Sequence, residues 1–177
     1  MTTLEQRTAA AKTIQDALPH ALERVYEFRG DVTLVVKPAH IVEVCRFCRD
    51  SAELQFDMFS GVSGVDYYPD SPRFALVYHL YSLRNNLSIE LKAYVEDDDE
   101  PSIDSVIEVY PTANWFEREI MDMFGVTVNN HPDPRRILNP EDWEGHPLRK
   151  DYPLGYETVQ FSFNFDEVNK HKPYAKE

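Results

Sequence analysis

Cys45 and Cys48 are the only thiols of the chain and stand in a C-x-x-C spacing. That spacing serves metal ligation or thiol–disulfide exchange. A zinc or iron–sulfur centre normally draws on four ligands, and no second pair exists in the sequence. A redox pair belongs at a helix N-terminus after a strand. Here Ile41, Val44, Cys45 and Cys48 fall at i, i+3, i+4, i+7, so both sulfurs lie on the apolar stripe of a helix over 39–51. We read them as core. His20, His40, His79, His131, His146 and His171 are scattered and show no ligand spacing such as HxH or HExxH. No G-x-S-x-G elbow, G-x-x-x-x-G-K-[ST] loop or G-x-G-x-x-G turn is present.

Glu117-Arg118-Glu119-x-x-Asp122 places four charges on two helical turns, with Arg118 and Asp122 spaced for an i, i+4 pair. Such a face can be solvated, can dock a partner, or can hold an acid–base pair. A hydrolase built on Glu117, Glu119, Asp122 and His131 would lack a nucleophile, a metal set and a phosphate loop, and is set aside. Downstream lie His131, Arg135, Arg136, Trp143, His146, Arg149, Lys150, Asp151 and Tyr152, in a stretch rich in Pro and without helical or strand period. Trp143, Tyr152, Tyr156, Phe161, Phe163 and Phe165 argue against simple disorder. Arg, Trp and Tyr are enriched at interface hot spots, so this segment reads as an arm that wraps a neighbour.

The elements carrying these residues follow from periodicity. A helix over 3–18 ends at Pro19. Residues 25–28 and 32–36 form a hairpin about Gly30-Asp31. Leu54, Phe56 and Met58 alternate as on a strand, with Gly61 and Gly64 marking a bend or bulge. Residues 73–83 and 87–95 form the clearest hairpin, turned by Arg84-Asn85-Asn86. The acidic run 96–100 reads as a solvated loop. A helix over 114–124 has Asn114 as cap, Glu117 as the return partner of a capping box, and Gly125 at the left-handed C-cap. The expected fold is α+β: a mixed or antiparallel sheet with packed helices, followed by a long extended C-terminal arm. Residues 1–128 would form the globular domain and 129–177 the arm.

The 177 residues suit one domain. The longest strand-like stretch free of charge, 74–83, is too short for a membrane span, which takes about 20 residues. The N-terminus shows neither the basic start nor the apolar core of a signal peptide, and two cysteines read as cytosolic. The net charge of −13 disfavours nucleic acid and anionic lipid. It divides unevenly: residues 1–130 carry 22 acids and 11 bases, and residues 131–177 carry 9 and 7.

The stretch Glu117-Arg118-Glu119-Ile120-Met121-Asp122-Met123-Phe124-Gly125, then His131, then Arg135-Arg136-Ile137-Leu138, resembles the signature of the 30-kilodalton subunit of respiratory complex I. Gly145-His146-Pro147-Leu148-Arg149-Lys150-Asp151-Tyr152-Pro153 is similar to the same family. The resemblance is carried by residues 115–154. It implies a structural subunit, without catalytic residues or a cofactor of its own, in the peripheral arm of a proton-pumping NADH:quinone oxidoreductase. It implies FMN and iron–sulfur clusters in partner subunits, and packing against the 49-kilodalton-type subunit that helps form the quinone site. It further implies a peripheral place at the cytoplasmic side of a bacterial cell membrane. Ferredoxin-, hydrogenase- and F420-linked complexes have equivalent subunits and form the alternative. Glu117, Arg118, Glu119, Asp122, Gly125, His131, Arg135, Arg136, Trp143, His146, Arg149, Lys150, Asp151 and Tyr152 are then expected at the docking interface.

Overall fold

The computed structural model describes residues 3–153 and residue 170. Alternating apolar residues build two hairpins, and these supply four of the five strands of the main sheet. Strands β1 (Leu22–Phe28) and β2 (Asp31–Val36) pair antiparallel, with Phe28 opposite Asp31. Their two turn residues are Arg29 and Gly30, one position earlier than the sequence suggests. Both have positive φ, +55° and +86°, which matches the twist of a tight hairpin. Strands β4 (Phe74–Ser82) and β5 (Leu87–Tyr94) form the second hairpin where the alternation placed it. Asn86 takes the positive φ, +50°, expected of this turn.

β3 (Met58–Asp66) completes the sheet, in the order β1-β2-β5-β4-β3. Only β2 and β5 run parallel, so the sheet is mixed. The register of β3 against β4 slips between Phe59 and Gly61, a bulge that re-aims the strand. Leu54 and Phe56 are buried, yet they precede β3 rather than extending it. Their alternation comes from a loop folding its apolar side chains under the sheet.

Phe74, Leu76, Tyr78 and Leu80 of β4 and Leu87, Ile89, Leu91 and Ala93 of β5 point into the core. Helices α1 (Thr3–Ala17), α2 (Ile41–Asp50) and α3 (Ala113–Phe124) cover that face. α1 buries Ala10, Ala11 and Ile14, and Arg7 ties it to the Gly30 carbonyl at 2.7 Å and Ser88 Oγ at 2.6 Å. α2 buries Cys45 and Cys48 completely. Burial pushes both thiols up, Cys48 to about 12, which leaves them protonated and inert. A two-stranded parallel pair, β6 (Ser102–Asp104) with β7 (Thr127–Asn129), brackets α3. Three-residue strands carry too little periodicity to be read from sequence.

Residues 130–153 contain no helix or strand. They run back along α3 and the ends of β3 and β4. Tyr156, Phe161, Phe163 and Phe165, and with them most of the far part of the expected arm, lie outside the described residues. Among the described residues no helix is long and apolar enough to cross a membrane.

Candidate functional site

α3 forms because Phe116, Ile120 and Phe124 repeat on one face, against β3. Gly64 lets it come close: a Cβ there would lie 2.6 Å from the Phe124 ring. Gly125 ends the helix at φ +69°, donating its N–H to Met121 O. The N-terminus departs from expectation. Thr112 precedes the first turn, no side chain caps it, and Asn114 Oδ1 is buried without a hydrogen-bond partner. Glu117 is not a capping-box partner, because its carboxylate is committed elsewhere.

Glu117, Arg118 and Asp122 do not form a solvated face: they are 1%, 8% and 1% exposed. The expected Arg118–Asp122 pair does not form either. Each charge instead faces a different part of the chain. Glu117 accepts hydrogen bonds from Ser105 Oγ at 2.6 Å and the Val106 N–H at 2.7 Å. His131 Nε2 lies 3.8 Å from the same carboxylate and donates to Asn114 O at 3.2 Å. His131 Nδ1 accepts the Asp133 N–H at 3.0 Å, which places the imidazole proton on Nε2. Burial dominates at Glu117 and raises its carboxyl above the usual range, against the Ser105, Val106 and His131 contacts.

Arg118 uses its fork on two carbonyls, Arg135 O and Arg136 O, both at 2.9 Å. The guanidinium also lies over the Trp115 ring. Asp122 Oδ2 collects the N–H groups of Ile137, Leu138 and Asn139 at 3.1, 2.8 and 2.9 Å. Its Oδ1 takes Arg136 Nη1 at 2.6 Å and Asn139 Nδ2 at 2.9 Å. Burial works against ionisation here. The Asn139 N–H and the Arg136 guanidinium outweigh it and hold the carboxyl well below the usual carboxylate range. Asp122 thus acts as the nest around which residues 136–139 turn.

The C-terminal end of α3 is closed by the same returning segment. His146 Nδ1 donates to Asp122 O at 2.9 Å, the Leu148 N–H to Met123 O at 3.0 Å, and Arg149 Nε to Phe124 O at 2.6 Å. These donors satisfy the carbonyls that a helix end leaves open, and Arg149 adds a positive charge where the helix dipole favours one. Arg136 also binds the Trp143 and Gly145 carbonyls. Gly145, at φ +83°, lets the Tyr152 ring sit against its Cα; a Cβ would meet that ring at 3.0 Å.

A further anchor was not visible in the sequence. Arg73 donates two hydrogen bonds to Asp66, at 3.0 and 2.8 Å, and two to Asp151, at 2.9 and 2.7 Å. Asp66 also accepts the Lys150 N–H at 2.8 Å. Burial raises its pKa, and the contacts with Arg73, Lys150 and Tyr68 more than reverse this, to about 2. No local pattern marks a partnership across more than 70 residues. Glu119, Arg135 and Trp143 remain on the surface. Arg135 pairs only with Asp133, at 2.7 Å. Glu119 borders a groove of about 350 Å³, lined by Gly61, Gly64, Phe116, Ile120, Phe124 and Leu148 among others.

The structure therefore brings together Glu117 with His131, Arg118 with the 135–136 backbone, Asp122 with Arg136 and His146, and Asp151 with Arg73. These residues join the chain to itself. They form no pocket around a nucleophile. Trp115, Leu138 and Leu148 stay exposed, at 59%, 61% and 49%.

Comparison with known proteins bears on this arrangement. Residues 34–158 match the family described as "Respiratory-chain NADH dehydrogenase, 30 Kd subunit". An NADH-quinone oxidoreductase subunit of Roseiflexus castenholzii is 51% identical over 174 residues, 98% of this chain and 99% of that protein. The protein of the same name from Geobacter sulfurreducens is 46% identical over 152 residues, covering 85% and 92%. A chain from the "membrane-bound sulfane sulfur reductase (MBS), an archaeal respiratory membrane complex" superposes with a TM-score of 0.67 at 26% identity, covering 83% of this chain and 85% of that one.

Proposed function

The chain belongs to the family of the 30-kilodalton subunit of the respiratory-chain NADH dehydrogenase, and from that premise we propose that it serves as a structural subunit of an NADH-quinone oxidoreductase. In this reading it carries no redox centre and moves no substrate. It supports electron transfer from NADH to quinone, with FMN and iron–sulfur clusters held by partner subunits. It sits peripherally, at the cytoplasmic side of a bacterial membrane, within a complex that acts as a proton-pumping translocase.

One observation carries the structural role. Arg118, Asp122, Arg136 and Arg149 of the signature are consumed in fixing residues 130–153 onto α3. Buried, hydrogen-bonded charges of this kind specify a shape, and breaking one is costly. Left exposed are Leu138, Trp143 and Leu148 of the segment and Trp115 of α3, with Glu119 and Arg135 also at the surface. Exposed apolar and aromatic side chains suit a protein interface. We assign this surface to the neighbouring subunit, of the 49-kilodalton type. Relatives at 46% and 51% identity named for NADH and quinone favour NADH as donor over the donors of the ferredoxin-, hydrogenase- or F420-linked complexes.

Leu148→Asp and Trp115→Asp test the assignment. Both side chains are about half exposed or more, so the isolated variants should unfold like the unaltered chain. In cells they should be lost from the assembled complex. Normal assembly of both variants would overturn the interface.

A further inference from the structure

Away from α3, the fold gathers three metal-ligating side chains that are far apart in sequence. His20 lies between α1 and β1. His40 ends the 3-10 turn that leads into α2, and Glu43 is in the first turn of that helix. His40 Nδ1 is 2.9 Å from Glu43 Oε2, and His20 Nε2 is 3.2 Å from the same oxygen. One ligand atom from each residue lies within 4.8 Å of the others, the sole such group of three among the described residues.

We propose that His20, His40 and Glu43 bind a divalent transition-metal ion, Zn2+ being the best fit. Two imidazole nitrogens and one carboxylate oxygen are a zinc ligand set, with bonds of about 2.0–2.2 Å. Ligands at that distance in a tetrahedron stand about 3.3–3.5 Å apart, close to the two nitrogen–oxygen separations. The ion replaces the imidazole protons that now bridge to Glu43. The two nitrogens separate from the oxygen by a few tenths of an ångström, within the rotational freedom of side chains that are 53%, 35% and 47% exposed. Water fills the fourth position.

The scaffold for these ligands is fixed. Lys37 Nζ donates to His20 O at 2.8 Å and Lys37 N–H to Ala21 O at 2.9 Å, which ties the His20 loop to the entry of α2. His40 and Glu43, three residues apart, share one side of the helix entry. The His20 and His40 rings meet edge to face, 5.0 Å between centroids. Lys37 is the nearby cation and lowers affinity to some degree. The carboxylate supplies the compensating charge. An ion here clamps the α1–β1 connection to α2. It takes no part in electron transfer, because Zn2+ has no accessible second redox state.

Zn2+ and, separately, Co2+ are titrated into the full-length chain after removal of any histidine tag. The expected result is one equivalent bound, a rise in the thermal midpoint, and a cobalt spectrum without a thiolate charge-transfer band. His20→Gln and Glu43→Gln should each weaken binding by at least about tenfold, with the metal-free midpoint little changed. His79→Gln, on the outer face of β4, should bind as the unaltered chain does. Binding left intact by both His20→Gln and Glu43→Gln overturns the site. So does a thiolate band, which would report capture by Cys45 and Cys48 in an opened chain.

Discussion

At the scale of single residues, Asp122 holds the returning segment together. Five donors converge on its carboxylate, from Arg136, Ile137, Leu138 and Asn139. Asp122→Ala takes the acceptor from all five of these part-buried donors, and should cost about 3 kcal/mol in urea unfolding. Arg135→Ala is the contrasting case. Arg135 is exposed and meets only Asp133, so its loss should leave unfolding unchanged and affect assembly alone. Asp66 gives a pH signature. Its folded pKa of about 2 lies below the ordinary aspartate value of about 3.9. The folded state therefore gains stability above that ordinary value and loses it as the pH falls towards 2. On acidification from about pH 5 to about pH 2, the unaltered chain should lose more stability than Asp66→Asn. Equal slopes would contradict the Arg73 and Lys150 contacts. The family resemblance, not spacing, singled out Asp122, Arg136 and Arg149 for docking. Spacing made Glu117 and Arg118 look like part of a surface, because spacing along a helix defines the face and not what later covers it. Arg73 and Asp66 escaped because their partners, Asp151 and Lys150, come from distant sequence.

At the scale of elements, legibility followed periodicity. The β4–β5 hairpin and the Gly125 stop of α3 were plain, since eight or more alternating residues and a helix-ending glycine are strong local signals. The β6–β7 pair was invisible, because three residues define no period. The 130–153 segment was seen as aperiodic, and its backing by α3 came only from the structure. Gly125 joins the two. Alanine there must hold a left-handed φ at about 1–2 kcal/mol, and its Cβ would press within 2.4 Å of His146 Nε2 and 2.6 Å of an Arg149 guanidinium nitrogen. Gly125→Ala should therefore destabilise by more than the backbone term. It should also open residues 130–153 to limited proteolysis while the sheet stays intact. Unchanged cleavage would separate the helix stop from the returning segment.

At the scale of the whole molecule, the sheet and α1–α3 form a scaffold on which Arg118, Asp122, Arg136 and Arg149 hold one segment in place. The −13 net charge does not bear on that segment directly, since Arg135 is matched by Asp133, Arg136 by Asp122, and Arg149 and Lys150 by the Phe124 and Tyr68 carbonyls. What remains for a neighbour is the exposed surface of Trp115, Leu138, Trp143 and Leu148. The protein then works as one part of a larger assembly. Purification of the chain from its native membranes through a C-terminal tag, followed by mass spectrometry of the bound proteins, tests this most directly. A structural subunit should bring with it the other subunits of the NADH-quinone oxidoreductase, together with NADH–quinone turnover, and should lose both with Leu148→Asp. Recovery of the chain as a free monomer, or of a complex without NADH-oxidising subunits, would contradict that role.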